Sequence, residues 1–328
     1  MTSNNGKLPI HKHIPHASRI VYGGMHLGGG WNKNPISKDD EIQAQDLLET
    51  ALANGINTLD LADIYTFGKA EEVIGRVFKK APHLIDKLII QSKLGIKLTH
   101  DAKVKQYDLS ASWAEKGLDA ILKRLRIEKL DVLFLHRPDP LMEIESLATT
   151  LNKNYEHDKF EYLALSNMHA GQMAYIQSNV SMPVIANQLE MSLLASDFVE
   201  DAITVNMDIN SQVGFPRGTI EYCLPQGIQL QAWASLAQGI FDPNHTNTEV
   251  TREIIDTRLL VGELAENYNT SPSAIVLAWL MRHPAMIQPV IGTTTPKRLV
   301  EAAEAGKILL SRDDWYHLLE TRRGREVP

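Results

Sequence analysis

Cysteine is almost absent: Cys223 is the single one in 328 residues. This excludes an internal disulfide and every zinc site built on paired cysteines. One unpaired thiol suits a reducing compartment. Long apolar runs are missing too, and none approaches the roughly 20 residues that span a bilayer as a helix. The stretch 1–18 is polar and has no apolar signal core. Excess positive charge is also lacking, since the net charge is −7. That argues against broad binding to nucleic acid or to an anionic membrane. A dinucleotide fingerprint of the form Gly-x-Gly-x-x-Gly is not found between any strand and helix. The expectation from these absences is a cytoplasmic protein that works on small molecules.

Within the polar start, His11, His13 and His16 read either as a metal cluster or as part of a mobile tail. Nothing nearby fixes a ligand geometry, so a flexible tail over residues 1–18 is the expectation.

The whole chain has 44% apolar and 22% charged residues, as a soluble protein with a sizeable core does. Eight short apolar runs stand out, at 20–25, 57–62, 88–93, 131–136, 162–167, 184–190, 228–234 and 286–292. Helix-sized segments separate almost all of them. Ser37 and Asp39 open a helix with Ala44, Leu48, Ala51 and Leu52 on one face, and Gly55 stops it. Others are expected near 70–80, 108–127, 141–154, 170–178, 218–225, 257–268 and 272–282. Ser271 caps the last, with Pro272 at its first position. Short buried strands alternating with helices mean a parallel sheet covered by helices. Eight of them fit a closed (β/α)8 TIM barrel of the α/β class, as one domain over residues 19–328.

A TIM barrel gathers its chemistry at the C-terminal ends of its strands. Those ends carry Asp60 with Tyr65, then Lys93, His136, Ser166-Asn167, Gln188 to Glu190, Trp233 and Gly292-Thr293. Each has an ordinary reading. A strand-end lysine snorkels, a histidine hydrogen-bonds in a core, and Ser-Asn caps a helix. All of them at one mouth point to a site. A tyrosine is a poor acid at neutral pH, with an ordinary pKa near ~10. A neighbouring ammonium favours its phenolate while burial opposes it, and a buried ammonium needs a counter-charge such as Asp60. His136 can then hydrogen-bond the same substrate oxygen. Such a set is an acid for an oxyanion, as carbonyl reduction requires.

Asp60-Leu-Ala-Asp-Ile-Tyr65, Gln91-Ser-Lys93, Leu135-His136-Arg-Pro-Asp-Pro140, Ser166-Asn167, Asn187-Gln188, Ala232-Trp233-Ala-Ser235-Leu236 and Ile291-Gly292-Thr293 resemble, in order and spacing, the aldo-keto reductase superfamily. The resemblance runs from about Ile20 to Pro328. His136-Arg-Pro-Asp-Pro140 and the closing Val327-Pro328 look most like its bacterial YdhF-like branch of predicted oxidoreductases.

The resemblance implies metal-free reduction of a small carbonyl compound with NADPH, NADH being the lesser expectation. Asp60, Tyr65, Lys93 and His136 match the family's catalytic tetrad, with Tyr65 as general acid. Ser166, Asn167 and Gln188 match the residues that hold the nicotinamide carboxamide, and Trp233 the aromatic that stacks on its ring. Gly24 and Met25 match backbone near the reacting centre. Ala234, Ser235, Leu236 and Gln238 fall where the pyrophosphate is held. Gly292, Thr293 and Thr294 follow the last strand, and Arg298 matches the family's 2′-phosphate arginine. Trp31, with Tyr65 and His136, is expected against the substrate. The loops around 65–67, 98–107 and 241–248 are expected to line the rest of the pocket.

This chain departs from the family pattern twice. Gly292 stands where many members carry a lysine for the 2′-phosphate. The segment 193–216 is long, rich in Asp and Asn, and without clear periodicity, so a functional or disordered loop is expected. Two rival functions remain at this stage. One is a non-enzymatic NADP(H)-binding redox sensor or regulatory module on the same barrel. The other is a Schiff-base lyase using Lys93, which gives Trp233 and Asn167 nothing to do. The sequence leaves oligomeric state open.

Overall fold

The computed structural model describes residues 6–246 and 250–328. In chain order its strands are β1 (Val21–Gly23), β2 (Thr58–Asp60), β3 (Ile89–Leu94), β4 (Ile96–Lys97), β5 (Gln106–Tyr107), β6 (Leu130–Leu135), β7 (Phe160–Ser166), β8 (Val184–Glu190), β9 (Gln229–Trp233) and β10 (Gln288–Ile291). β4 and β5 pair antiparallel into a small ribbon after β3. The other eight close a parallel barrel in the order β1-β10-β9-β8-β7-β6-β3-β2. Each of the eight apolar runs corresponds to one barrel strand, with ends that agree to within two residues. Strands covered on both sides read as unbroken apolar runs, and β3 is buried along its whole length.

The helices are α1 (Lys38–Ala53), α2 (Lys69–Lys80), α3 (Ala111–Leu125), α4 (Ile144–Glu156), α5 (Ala170–Gln177), α6 (Asp197–Ile203), α7 (Thr219–Gln226), α8 (Arg252–Asn267), α9 (Pro272–Met281), α10 (Pro296–Ala303) and α11 (Arg312–Arg323). At the start of α1 the Asp40 N–H donates to Ser37 Oγ at 3.1 Å, and the Ser37 N–H donates to the Asp40 carboxylate at 2.8 Å. This reciprocal cap closes two open donors. α9 is buried from Ala274 to Met281 because it lies between the barrel and other helices, packing on α8, α10 and β10. The main core fills the space between the strands and this helical coat.

The flexible tail expected over residues 1–18 is not what the structure shows from Leu8 onward. Leu8, Ile10, Ile14 and Ala17 are buried in one cluster with Ile89, Val132, Phe134, Ala164, Ile185 and Ala186. The segment covers the bottom of the barrel, where inward-facing strand residues need a lid against water. His11 Nε2 bonds the Ala17 carbonyl at 2.9 Å, and the His13 ring packs edge-on against Tyr162. These two histidines therefore hold the lid. Apolar positions spread among lysines and histidines conceal this packing in the sequence. Residues 1–5 lie outside the described residues.

The segment 193–216 is also more ordered than expected. It carries α6 and a turn of 3-10 helix, Asp208–Gln212. Phe198 packs against Phe215, Trp279 and His283. Arg323 on α11 donates through Nε to Glu200 at 2.6 Å, and Arg322 donates to the Leu194 carbonyl at 3.1 Å. The segment thus folds by docking on the C-terminal helix, a long-range contact that periodicity does not reveal.

Candidate active site

β2 ends on Asp60 and β3 passes Lys93, so neighbouring strands bring the two side chains together. The Lys93 ammonium lies 2.7 Å from both Asp60 oxygens and 2.8 Å from the Leu61 carbonyl. It also donates to the Tyr65 hydroxyl at 3.1 Å. Lys93 has no exposed surface and Asp60 only 2%. A buried ion pair persists only with such complete partnering, since desolvation costs several kcal/mol per ion, by rough estimate.

Tyr65 reaches this pair because the chain turns sharply behind it. Thr66 and Phe67 have φ of 48° and 62°, and Gly68 follows at 84°. The Thr66 hydroxyl donates to the Leu27 carbonyl at 2.9 Å and so fastens the left-handed turn. His136 follows β6 and meets the Tyr65 ring edge-on, with centroids 6.2 Å apart. The structure therefore brings Asp60, Tyr65, Lys93 and His136 into one group at the mouth.

Burial pushes the Tyr65 phenol up, while the Lys93 charge pulls it the other way. Burial also opposes the charge on Lys93, but Asp60 and Tyr65 outweigh it and hold the ammonium above its ordinary value. His136 lies well below the usual histidine value, because of burial and then the charges of Lys93, Arg137 and Lys105. The imidazole is therefore neutral beside a protonated phenol and a charged lysine.

Next to this group, Asn167 follows β7 with φ of 60°. Its amide donates to Ser166 Oγ at 2.7 Å and to the His136 carbonyl at 3.3 Å. Its oxygen accepts the Trp233 indole N–H at 3.0 Å. Ser166 Oγ in turn donates to the Gln188 carbonyl at 2.9 Å. Gln188 itself turns its amide into the barrel, donating to Asp60 at 3.1 Å and to Gln231 at 3.0 Å.

Gly24 donates its N–H to the Asp60 carbonyl at 2.8 Å, and an added Cβ there would sit 2.6 Å from Leu61 Cδ2. Met25 beside it is exposed. After β9, Ala234 and Gln238 take left-handed φ values and expose their side chains, with Leu236 partly buried between them. Ser235 is buried and donates to the Val290 carbonyl at 2.8 Å, tying this turn to β10. After β10, Gly292, Thr294 and Arg298 are exposed, and the Thr293 carbonyl accepts the Tyr22 hydroxyl at 3.0 Å. Trp31 stands edge-on to Phe67 at 5.4 Å, and Phe67 to His100 at 5.9 Å, a mostly exposed aromatic row. In the loop 241–248, Phe241 is buried as packing, and Asn247 and Thr248 lie outside the described residues.

Sequence reasoning missed several neighbours of this site. Arg137 holds its guanidinium 5.8 Å from the Trp233 ring centre. Glu71 is fully buried behind Lys93, accepting from the Ser92 hydroxyl and from Arg124 Nε at 2.6 Å. Gln91 and Gln231 are buried amides inside apolar strands, the same signal that singles out Asp60.

A (β/α)8 barrel with a buried lysine-carboxylate pair under a tyrosine at its C-terminal mouth defines a class of barrel enzymes. Residues 19–322 match the model of the aldo/keto reductase family, and the chain belongs to that family of oxidoreductases. Among its relatives is a 6-dehydroglucose reductase of Agrobacterium fabrum, 31% identical, covering 94% of this chain and 96% of that one. The oxidoreductase YdhF of Escherichia coli is 28% identical and covers 96% of both chains, in line with the branch its motifs resemble. Among solved structures, an aldo-keto reductase from Klebsiella pneumoniae in complex with NADPH shares the fold. Its TM-score is 0.70 at 18% identity, covering 95% of this chain and 92% of that one.

Proposed function

We propose that this protein reduces an aldehyde or ketone to the alcohol, with NADPH as hydride donor and Tyr65 as general acid. The observation that carries the reading is the Lys93 ammonium, buried on Asp60 and donating to the Tyr65 hydroxyl at 3.1 Å. Bound NADPH supplies the hydride that adds to the carbonyl carbon. The Tyr65 hydroxyl gives its proton to the carbonyl oxygen, and the phenolate left behind is stabilised by Lys93 until solvent returns a proton. His136, being neutral, orients the carbonyl oxygen as a hydrogen-bond donor without adding a positive charge.

The chain's residues fit a nicotinamide dinucleotide. Asn167 is fixed at the edge of Trp233 by the indole N–H, which leaves an oxygen lone pair for a carboxamide beside an indole able to support an aromatic ring. The turn from Ala234 to Gln238, exposed at both ends, would hold a pyrophosphate, and Arg298 beside exposed Gly292 and Thr294 would offer a fork for a 2′-phosphate. The NADPH in the Klebsiella pneumoniae relative supports the same cofactor. The relative that reduces 6-dehydroglucose puts sugar carbonyls among the substrates to try.

The test is NADPH consumption with a panel of aldehydes, ketones and dicarbonyls, comparing native protein with Tyr65→Phe. Quenching of tryptophan fluorescence follows cofactor binding in both. Turnover that falls by about 100-fold or more in the variant, with binding retained, is the expected result. Binding of NADPH without turnover by the native protein would instead make the barrel a cofactor-sensing module. Absence of binding would refute the cofactor assignment.

A further inference from the structure

Interior layers of a TIM barrel are ordinarily filled by branched apolar side chains. Here one layer below the mouth is built of amides. Gln91 on β3, Gln188 on β8, Gln231 on β9 and Gln288 on β10 are each at most 2% exposed. Strand register sets Asp60 beside Gln91, Gln188 beside Gln231, and Gln231 beside Gln288. An unpaired buried amide costs about 1–3 kcal/mol. None of these four has an atom among the buried polar groups that lack a partner.

The orientation of the layer follows from Asp60. A carboxylate only accepts, so Gln91 and Gln188 must turn their NH2 groups to it. They do so at 2.7 Å and 3.1 Å, both on Oδ1. Their second N–H bonds both go to Gln231 Oε1, at 3.0 Å each. The Gln231 NH2 then donates to Gln91 Oε1 at 3.2 Å and to Gln288 Oε1 at 2.9 Å. Gln288 closes the chain on the Ser18 carbonyl at 2.6 Å, at the barrel floor. Asp60 Oδ1 thereby receives three donors, from Lys93, Gln91 and Gln188. A carboxylate gripped in this way cannot rotate off the lysine.

We propose that Gln91 and Gln231 are positioning residues of the tetrad, fixing the Asp60 carboxylate against Lys93 through an amide layer that spans the barrel. The proposal rests on the reductase reading above, because it concerns the lysine that supports Tyr65. Asp60 and Tyr65 face Lys93 from β2 and the turn after it, Glu71 from α2 and His136 from the end of β6. Of these, only the Asp60 carboxylate is held by the layer. Loosening it weakens the nearest counter-charge that keeps a desolvated ammonium protonated, so Lys93 gives up its proton at lower pH.

The experiment compares pH profiles of NADPH-dependent reduction in native protein, Gln91→Met, Gln231→Met and Gln288→Met. Methionine keeps the volume and removes the amide. The alkaline limb is expected to move down by about one pH unit or more in the first two variants and less in the third. Cofactor binding by fluorescence is expected to change less than about twofold, because none of the three substituted glutamines is among the expected cofactor residues. Lower turnover with an unmoved limb would make the layer mere packing and overturn the proposal. Gln91→Asn, which shortens the amide without removing it, replaces any variant that does not fold.

Lysine side-chain nitrogen NMR gives a second readout that needs no turnover, the Lys93 signal being the one lost in Lys93→Met. Ammonium that persists to higher pH in native protein than in the variants supports the proposal, and equal titration in all overturns it. A native protein that reduces nothing refutes the reductase reading alone.

Discussion

A lysine without exposed surface keeps its charge only where partners replace water, and Lys93 has four acceptor atoms within 3.1 Å. Asp60 ends β2, and Leu61 and Tyr65 lie in the turn that follows, so the partners of Lys93 come from one strand end and the turn fastened behind it. Arg298 is the opposite kind of residue, exposed and near the start of α10. If it binds a 2′-phosphate, Arg298→Ala should weaken NADPH binding by about tenfold or more while NADH binding changes little. Titrating both cofactors by fluorescence checks this, and equal losses for the two would remove Arg298 from phosphate recognition. In the sequence, Asp60, Lys93 and His136 were legible because charged residues stand out at the ends of apolar strands. Gln91 and Gln231 carry the same anomaly in milder form, since a neutral amide in a strand resembles an ordinary polar interruption.

Among elements, the covering segment from Leu8 to Ala17 is the one whose status changed most between sequence and structure. Its apolar side chains are isolated in the chain and meet only when the barrel floor assembles. Ile10 is 1% exposed, and Ile10→Ala should cost about 2–5 kcal/mol of unfolding free energy. Denaturant unfolding measures this, and a loss below about half a kcal/mol would mean the segment is not docked in solution. α6 behaves in the same way. Phe198 and Val199 anchor a helix too short to signal itself by periodicity, and α11 completes the seat from the far end of the chain. The ribbon β4-β5 was likewise hidden, since each strand has only two residues.

At the scale of the molecule, no helix among the described residues is long and apolar enough to cross a membrane. Acid stability depends on histidines enclosed by the helical coat and the mouth. Burial moves His283 from 6.5 down to about 4, and it shifts His136 downward as well. Unfolded chain therefore takes up protons that the folded chain refuses. The stabilisation is complete above about pH 6.5 and is lost as pH falls toward about 4. Melting temperature should accordingly drop by several degrees between neutral pH and pH 5. His283→Asn keeps an acceptor for the Ala285 N–H and should flatten part of that drop. An unchanged slope in the variant would assign the acid sensitivity elsewhere.

By itself the sequence determined the barrel, because eight apolar runs alternating with helices admit few other closed parallel arrangements, and their charged ends converge on one mouth. Those signals are local, written in short unbroken apolar runs and in a helical spacing of about 3.6 residues. Tertiary structure decided what depends on meetings between distant residues. It set the Leu8 to Ala17 segment under the barrel and α6 against α11. It turned Gln188 inward and joined Gln91, Gln231 and Gln288 into one polar layer. Hydrogen bonds of this kind link positions as far apart as 270 residues. Their partners are chosen by strand register and barrel closure, which no window along the chain contains.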